Sequence, residues 1–279
     1  MHDYETLLVT IDDGVAVLTL NRPEVGNAFN VKMTAEFDEA IWALEADESV
    51  RAIVVTGAGK AFCTGWDLSG GGDVFGAGAH EDHNEELGVT DEGIAERYAL
   101  WRMRTPLIAA VNGTAIGAGL TITLLHDIRV VAEDARLRFV FTPLNLIPEA
   151  NSTWVLPRIV GLSRALELLL SGRWFTGTEA AEMGLASKAV PADRVVPAAL
   201  DLAREIADYA APTAAGVTKE LVYRFLGEPD RMAAMALETK LTWWTGSQPD
   251  TTEGVMALME KRKPNFKGSK HEPLPEGVE

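Results

Sequence analysis

Hydrophobic residues follow two periods along this chain, and the change from one to the other divides it. Leu7 to Ile11 and Val15 to Leu20 are β-rich runs on either side of Asp12-Asp13-Gly14, which predicts a hairpin. Pro23 ends the second run, since proline cannot continue a strand ladder. From Val31 to Ala46, Met33, Phe37, Ile41 and Leu44 fall on one helical face, with Asn30 placed to cap it. A strand at Ala52 to Thr56 follows, and the β-α-β order predicts a crossover unit. Helical spacing returns from Asp91 to Arg104 through Ile94, Tyr98 and Trp101. Leu107 to Val111, Ile128 to Ala132 and Leu137 to Phe141 read as further strands, and 142–150 as an irregular turn containing Pro143 and Pro148. Beyond it helices prevail: Ser152 to Val160, Ser163 to Leu170, Thr178 to Gly184, Val195 to Tyr209, Val217 to Leu226, Arg231 to Thr245 and Glu253 to Arg262. The pattern predicts a mixed α/β core over 1–174 and a helical region over 175–279.

Composition narrows what such a chain does. Its 279 residues are 47% apolar, enough for a sizeable core. A formal net charge of −16 argues against nucleic acid or an anionic membrane as the main partner. The single cysteine, Cys63, excludes an internal disulfide and suits a reducing compartment. No charged-then-apolar leader opens the sequence, and no apolar run approaches the ~20 residues of a membrane span, so a cytoplasmic location is expected. One segment departs from the rest. Residues 69–93 carry Gly70, Gly71, Gly72, Gly76 and Gly78, then the acidic run around Glu81, Asp82, Glu85 and Glu86, which predicts a long flexible loop. It is either plain solvated surface or a segment beside a site.

Two stretches carry candidate chemistry. After the strand at Leu107 to Val111 come Asn112-Gly113, then Gly117-Ala118-Gly119, then the apolar run Leu120 to Leu125. A strand, a small-residue turn and a helix start leave backbone N–H groups without helical partners, a setting that suits an oxygen acquiring negative charge. Close packing alone also explains Gly-Ala-Gly before a helix. The second stretch, Val54 to Gly70, likewise runs from a strand through glycines into Phe62-Cys63-Thr64-Gly65-Trp66-Asp67-Leu68. Together with NRPEVGNAFN, LIPEANSTWVLPRIVG, FTGTEAAEMGLASKAV and EGVMALMEKRKPNF, in this order, they resemble the crotonase, or enoyl-CoA hydratase/isomerase, superfamily.

The resemblance implies a crotonase-like spiral of repeated ββα units whose C-terminal helices assemble a trimer, commonly a dimer of trimers. It implies an acyl-CoA thioester substrate and no further cofactor or metal, coenzyme A being part of the substrate. The oxyanion-hole donors would be the backbone N–H groups of Thr64 and Ala118. Cys63, Gly65, Trp66, Asp67, Gly117, Gly119, Thr121 and Phe141 would line the substrate site. Trp66 is bulky where the family usually has a small residue, and Asp67 is expected to close its turn by accepting local N–H bonds. By the same resemblance, Phe266 and Lys267, near the basic cluster Lys261, Arg262, Lys263 and Lys270, would meet the coenzyme A of a neighbouring subunit. The other reading of that cluster is a solvated tail.

The acid/base positions separate the possible reactions. Hydratases of the family hold water between two glutamates, because hydration needs a proton acceptor and a donor together. The first should lie three residues after Ala118, which is Thr121, and the second fourteen after Asp127, which is Phe141. Neither is a carboxylate. Glu149, in Pro148-Glu149-Ala150, stands where isomerases of the family place an acidic residue, among Phe139, Phe141, Leu144, Leu146 and Trp154. A double-bond shift needs one base that removes a proton and returns it elsewhere. The expectation is therefore a Δ3,Δ2-enoyl-CoA isomerase with Glu149 as base. The alternatives are a hydratase and a non-catalytic acyl-CoA-binding relative. Glu149 could otherwise cap the following helix or form a surface ion pair. Cys63 lacks a partner histidine motif and reads as an inert thiol. His80 and His83 form at most half a metal site, His126 reads as a buried structural histidine, and Ser152 lacks a nucleophile-elbow context.

Overall fold

A computed structural model describes residues 3–76, 78, 84–88 and 90–278. The hairpin forms as expected: β1 (Leu7–Asp12) pairs antiparallel with β2 (Val15–Leu20). Asp13 and Gly14 both take positive φ, 43° and 81°, the backbone of a primed two-residue turn. Helix α1 (Val31–Ala46) starts where Asn30 Oδ1 accepts the Met33 N–H at 2.9 Å, and it buries Met33, Phe37, Ile41 and Leu44.

From there the chain winds as a spiral. β3 (Ala52–Gly57), β5 (Leu107–Val111), β7 (Ile128–Ala132) and β10 (Lys188–Val190) extend the hairpin into a six-stranded sheet of order β1-β2-β3-β5-β7-β10. All its pairings beyond the hairpin are parallel. The intervening short strands β4 (Ala61–Cys63), β6 (Thr114–Ile116), β8 (Arg136–Arg138) and β9 (Trp174–Thr176) form a second sheet, parallel except for β8 against β9. Each turn thus gives one strand to each sheet, and the core runs through both. The helix Val195–Tyr209 lies across β2, β3, β5 and β7 and buries Val195, Ala199 and Ala203, small side chains at four-residue spacing that permit close approach.

Several predicted boundaries move. The helix expected over Asp91 to Arg104 stops at Arg97, and Ala99, at φ −75° and ψ 51°, leaves helical geometry. The break buries Ala99, Leu100 and Met103. The strand expected over Leu137 to Phe141 shortens to β8, and Phe141 instead opens a 3-10 turn over Thr142–Leu144. Leu120 to Leu125 is not one helix: four α-helical residues, Ala118–Thr121, pass into a 3-10 turn, Ile122–Leu125. The last helix begins at Pro249 rather than Glu253, as proline suits the first helical position.

The C-terminal region is helical but poorly covered. Helices Arg231–Gly246 and Pro249–Glu260 bury only Leu241, Asp250 and Ala257, and leave Met232, Trp243, Leu258 and Met259 more than 70% exposed. The basic cluster is not a free tail. Arg262 is bound to Glu253 and Glu260, Lys263 to Asp208, and the buried Lys270 Nζ donates to Thr105 Oγ1 at 2.8 Å and Val50 O at 3.1 Å. Among the described residues, no helix is long and apolar enough to cross a membrane.

Candidate active site

The two glycine-bearing stretches meet because their side chains are nearly absent. β4 and β6 are parallel neighbours, so the turns leaving them lie side by side. A Cβ on Gly119 would stand 2.2 Å from Cys63 O, and one on Gly65 would stand 2.8 Å from Ile116 O. Only glycine allows either approach, and the result is a seam of backbone rather than side chains. Gly117 supports it with φ 52° and ψ −124°, donating its N–H to Arg138 O at 3.0 Å. Ala118 then occupies the first helical position, where an N–H has no partner within the helix.

Above this seam lies a cavity of about 500 Å3. Its walls include Trp66, Phe75, Tyr98, Ile116, Phe141 and Leu146, with the backbone of Gly117 and Ala118 in the floor. Glu149 is the sole carboxylate among the described lining residues. Its turn is held by Ser152, whose N–H and hydroxyl both donate to Glu149 O, at 3.0 and 2.6 Å. The carboxyl receives a short hydrogen bond from the Thr121 hydroxyl. Glu149 is exposed as a residue, yet protein atoms crowd its carboxyl. The crowding governs its charge, because a narrow cavity solvates an anion poorly. Desolvation raises its pKa, and the Thr121 bond only partly opposes that.

Residues 10–269 match the sequence family described as enoyl-CoA hydratase/isomerase. The chain belongs to that family. An enoyl-CoA hydratase of Alternaria alternata is 37% identical over 95% of this chain and 87% of its own length. A 1,2-epoxyphenylacetyl-CoA isomerase of Escherichia coli is 35% identical over 95% and 99%. Among solved structures, a probable enoyl-CoA hydratase/isomerase from Mycobacterium abscessus superposes with a TM-score of 0.85 at 37% identity, covering 94% of this chain and 99% of that one. The spiral described above is accordingly the crotonase fold.

Within this enoyl-CoA hydratase/isomerase chain, most residues expected at the site converge on the cavity. Gly65, Trp66, Gly117, Ala118, Phe141 and Glu149 line it, as does Thr64. The role expected of Thr64 is corrected. Its backbone N–H donates to Gly26 O at 3.0 Å and is not offered to the cavity. Phe29 N donates to Gly65 O and Asp67 N to Phe29 O, so the Phe29 strand binds the groups on both sides of Trp66. This parallel bridge uses the groups flanking Trp66, so the Trp66 N–H is not bonded to Phe29.

Asp67 does close its turn, accepting from Ser69 N at 3.1 Å, and it also pairs with Arg22 at 2.9 Å. These bonds hold its carboxyl below the usual range. Cys63 is buried and its thiol is pushed up to about 12, which leaves it an inert packing residue. His126 is buried, its Nδ1 on Ile122 O, and desolvation pushes it down to about 3, so it is neutral. Glu149 neither caps the next helix, whose cap residue is Asn151, nor joins an ion pair among the described residues.

Two wall assignments also change. Phe139 is fully buried behind the cavity, and Trp154 lines a separate one with Trp101 and Tyr223. Phe266 and Lys267 line neither; they border another cavity among Thr213, Asp250 and Gly254, and this chain alone does not bring them to Glu149. Phe75 places part of the glycine-rich loop against the cavity, whereas His80 and His83 lie outside the described residues. Tyr98 was predicted only as part of a helix face. It reaches the cavity because the helix ends before it, and burial raises its pKa so that the phenol stays protonated.

Proposed function

We propose that the chain isomerises enoyl-CoA thioesters, moving a double bond from the Δ3 to the Δ2 position. The observation that carries this reading is the lone Glu149 carboxylate, with Thr121 and Phe141 where a hydratase would hold glutamates. Glu149 takes a proton from C2, and the electron pair moves onto the thioester oxygen as a dienolate. The Ala118 N–H, together with the Trp66 N–H from the facing turn, donates to that oxygen. Return of the same proton to C4 leaves the double bond between C2 and C3. Preorganised donors of this kind are worth ~10²–10³ in rate each.

Desolvation helps in two ways. It raises the basicity of Glu149 toward working pH, and it strengthens the amide donors once the acyl chain displaces water. Hydration would need a second group that activates water, and among the described cavity residues no second carboxylate offers that. The test is turnover of both substrates by the wild type. Conversion of 3-enoyl-CoA to 2-trans-enoyl-CoA should far exceed hydration of the 2-trans product, and efficient hydration would overturn the reading.

Assembly belongs to the same proposal. The exposed apolar faces of Arg231–Gly246 and Pro249–Glu260 suit association with further copies as a trimer or stacked trimers. Sedimentation of the purified protein as a monomer would rule that out.

A further inference from the structure

Among the described residues, the Glu149 carboxyl has one hydrogen-bond partner, the Thr121 hydroxyl. That hydroxyl is fully buried and stands three residues beyond Ala118 on the same four-residue helix. It has two other oxygens in reach: Gly117 O at 3.2 Å and Ala118 O at 3.3 Å. Neither carbonyl depends on it. Gly117 O already accepts from Leu120 N and Thr121 N, both at 2.9 Å, and Ala118 O accepts from Ile122 N.

A hydroxyl has one hydrogen to give and lone pairs to receive with, whereas an ionised carboxylate only accepts. While Glu149 is ionised, the Thr121 hydrogen must therefore point at it. Once Glu149 has taken up a proton, its own O–H can donate to Thr121 Oγ1, and the Thr121 hydrogen turns to Gly117 O or Ala118 O. Both states are satisfied without any heavy atom moving.

We propose that Thr121 is the positioning residue of the proton shuttle, reversing its hydrogen bond each time Glu149 gains or loses a proton. This rests on the isomerase reading above, and it extends that reading to a residue that cannot itself act as a base. A base that picks up a proton at one carbon and delivers it at another must keep a partner in both charge states. A fixed donor such as a backbone amide would favour the anion alone. Gly119 packs this helix against Cys63 O, so the Ala118 amide and the Thr121 hydroxyl move as one unit.

The other titratable groups facing Glu149 do not perform this task. Cys63, at the end of β4, and Tyr98, after the Asp91–Arg97 helix, both feel its charge, and burial keeps both neutral. Arg138 of β8 lines the same cavity, its Nε given to Gly172 O.

The test compares Thr121→Val, nearly the same shape without the hydroxyl, with Thr121→Ser, which restores it. The Glu149 carboxyl is titrated directly by carbon NMR in the full-length protein, and α-proton exchange of a bound acyl-CoA is followed against pH. Valine should move the Glu149 midpoint up by roughly one pH unit, because the bond lost to the anion is worth more than the one lost to the acid. The acid limb of the exchange profile should move with it, and serine should return both to wild type. An unchanged midpoint in a folded Thr121→Val protein overturns the proposal, as does a serine variant that behaves like valine. The titration needs no turnover. The predicted midpoint shift in Thr121→Val, beside a wild type that exchanges no α-proton, would sink the isomerase reading and leave the Thr121–Glu149 coupling standing.

Discussion

Two of the cavities in this chain have the same volume, about 500 Å3, and use their polar groups differently. The one below Glu149 is walled by aromatic and aliphatic side chains around a floor of backbone, with a single carboxyl held by one hydroxyl. The one beside Phe266 is lined by Thr213, Thr245, Gln248, Asp250 and Glu272, and its Asp250 carboxylate is spent on the N–H groups of Lys267 and Gly268, both at 2.8 Å. Size therefore identifies neither. In the first, polar groups converge on empty space; in the second, they fasten the C-terminal tail to the helix that begins at Pro249. Reaction requires the former, and tail placement requires the latter.

Adding one methyl group to the seam under the first cavity and one to the wall of the second should give the largest contrast. In Gly119→Ala the new carbon would meet Cys63 O at 2.2 Å, a backbone atom that cannot step aside. Urea unfolding should show a loss of about 3 kcal/mol, at the upper end for overpacking, or failure to fold. Gly254→Ala meets only the Phe266 ring, at 3.4 Å, in the interior of a helix. Stability there should be unchanged or rise by about 0.5–1 kcal/mol through better helix propensity. Equal losses at both sites would erase the distinction between a tight seam and a loose one.

Removal of a single backbone hydrogen should come next. Ala118→Pro deletes the N–H at a helical position that tolerates proline, so a folded variant should lose ~10²–10³ in turnover. Thr64→Ala should keep nearly full rate, since it removes only a hydroxyl bonded to Val25 O and Gly26 O and leaves every backbone amide in place. A Thr64→Pro variant that folded and lost activity as Ala118→Pro does would restore Thr64 to the oxyanion hole.

The pH profile tests the cavity as a solvent. Because desolvation raises Glu149, kcat/KM should climb with pH through a midpoint above the ~4.3 of a free glutamate. Stability should run the other way. The fold favours the protonated acid, so that stabilisation is complete below ~4.3 and is lost as pH rises through the folded midpoint. Glu149→Gln should remove this slope from unfolding curves measured across the same window. The smallest effect belongs to the second cavity: Phe266→Ala removes a ring packed beside Gly254 and should lower the urea midpoint slightly while leaving turnover at saturation unaltered. A clear loss of kcat in a folded variant would contradict the division between the two cavities.

Much of this was legible in the residues. The face Met33, Phe37, Ile41 and Leu44 gave α1 its buried side, and Asn30 caps it as its position suggested. Glu149 could be picked out because Thr121 and Phe141 occupy the alternative positions. The strands of the second sheet were mostly missed, since three residues are too few to show a period of two and their pairing is decided by neighbours far along the chain. The amide of Thr64 was misassigned for a related reason: its acceptor lies 38 residues earlier, and nothing local announces that bond. The same distance problem hid the partnership of Thr121 and Glu149, 28 residues apart, and that of Arg22 with Asp67, 45 apart. Lys270 looked like part of a solvated basic tail because charge alone does not reveal burial.

The most direct test of the central claim is turnover of 3-enoyl-CoA by Glu149→Gln, measured beside its affinity for a non-reactive acyl-CoA. Glutamine keeps the shape of the side chain and cannot take the proton. The account predicts loss of isomerisation by ~10²–10⁴ with acyl-CoA affinity nearly intact. Isomerisation at the wild-type rate by the glutamine variant would contradict it.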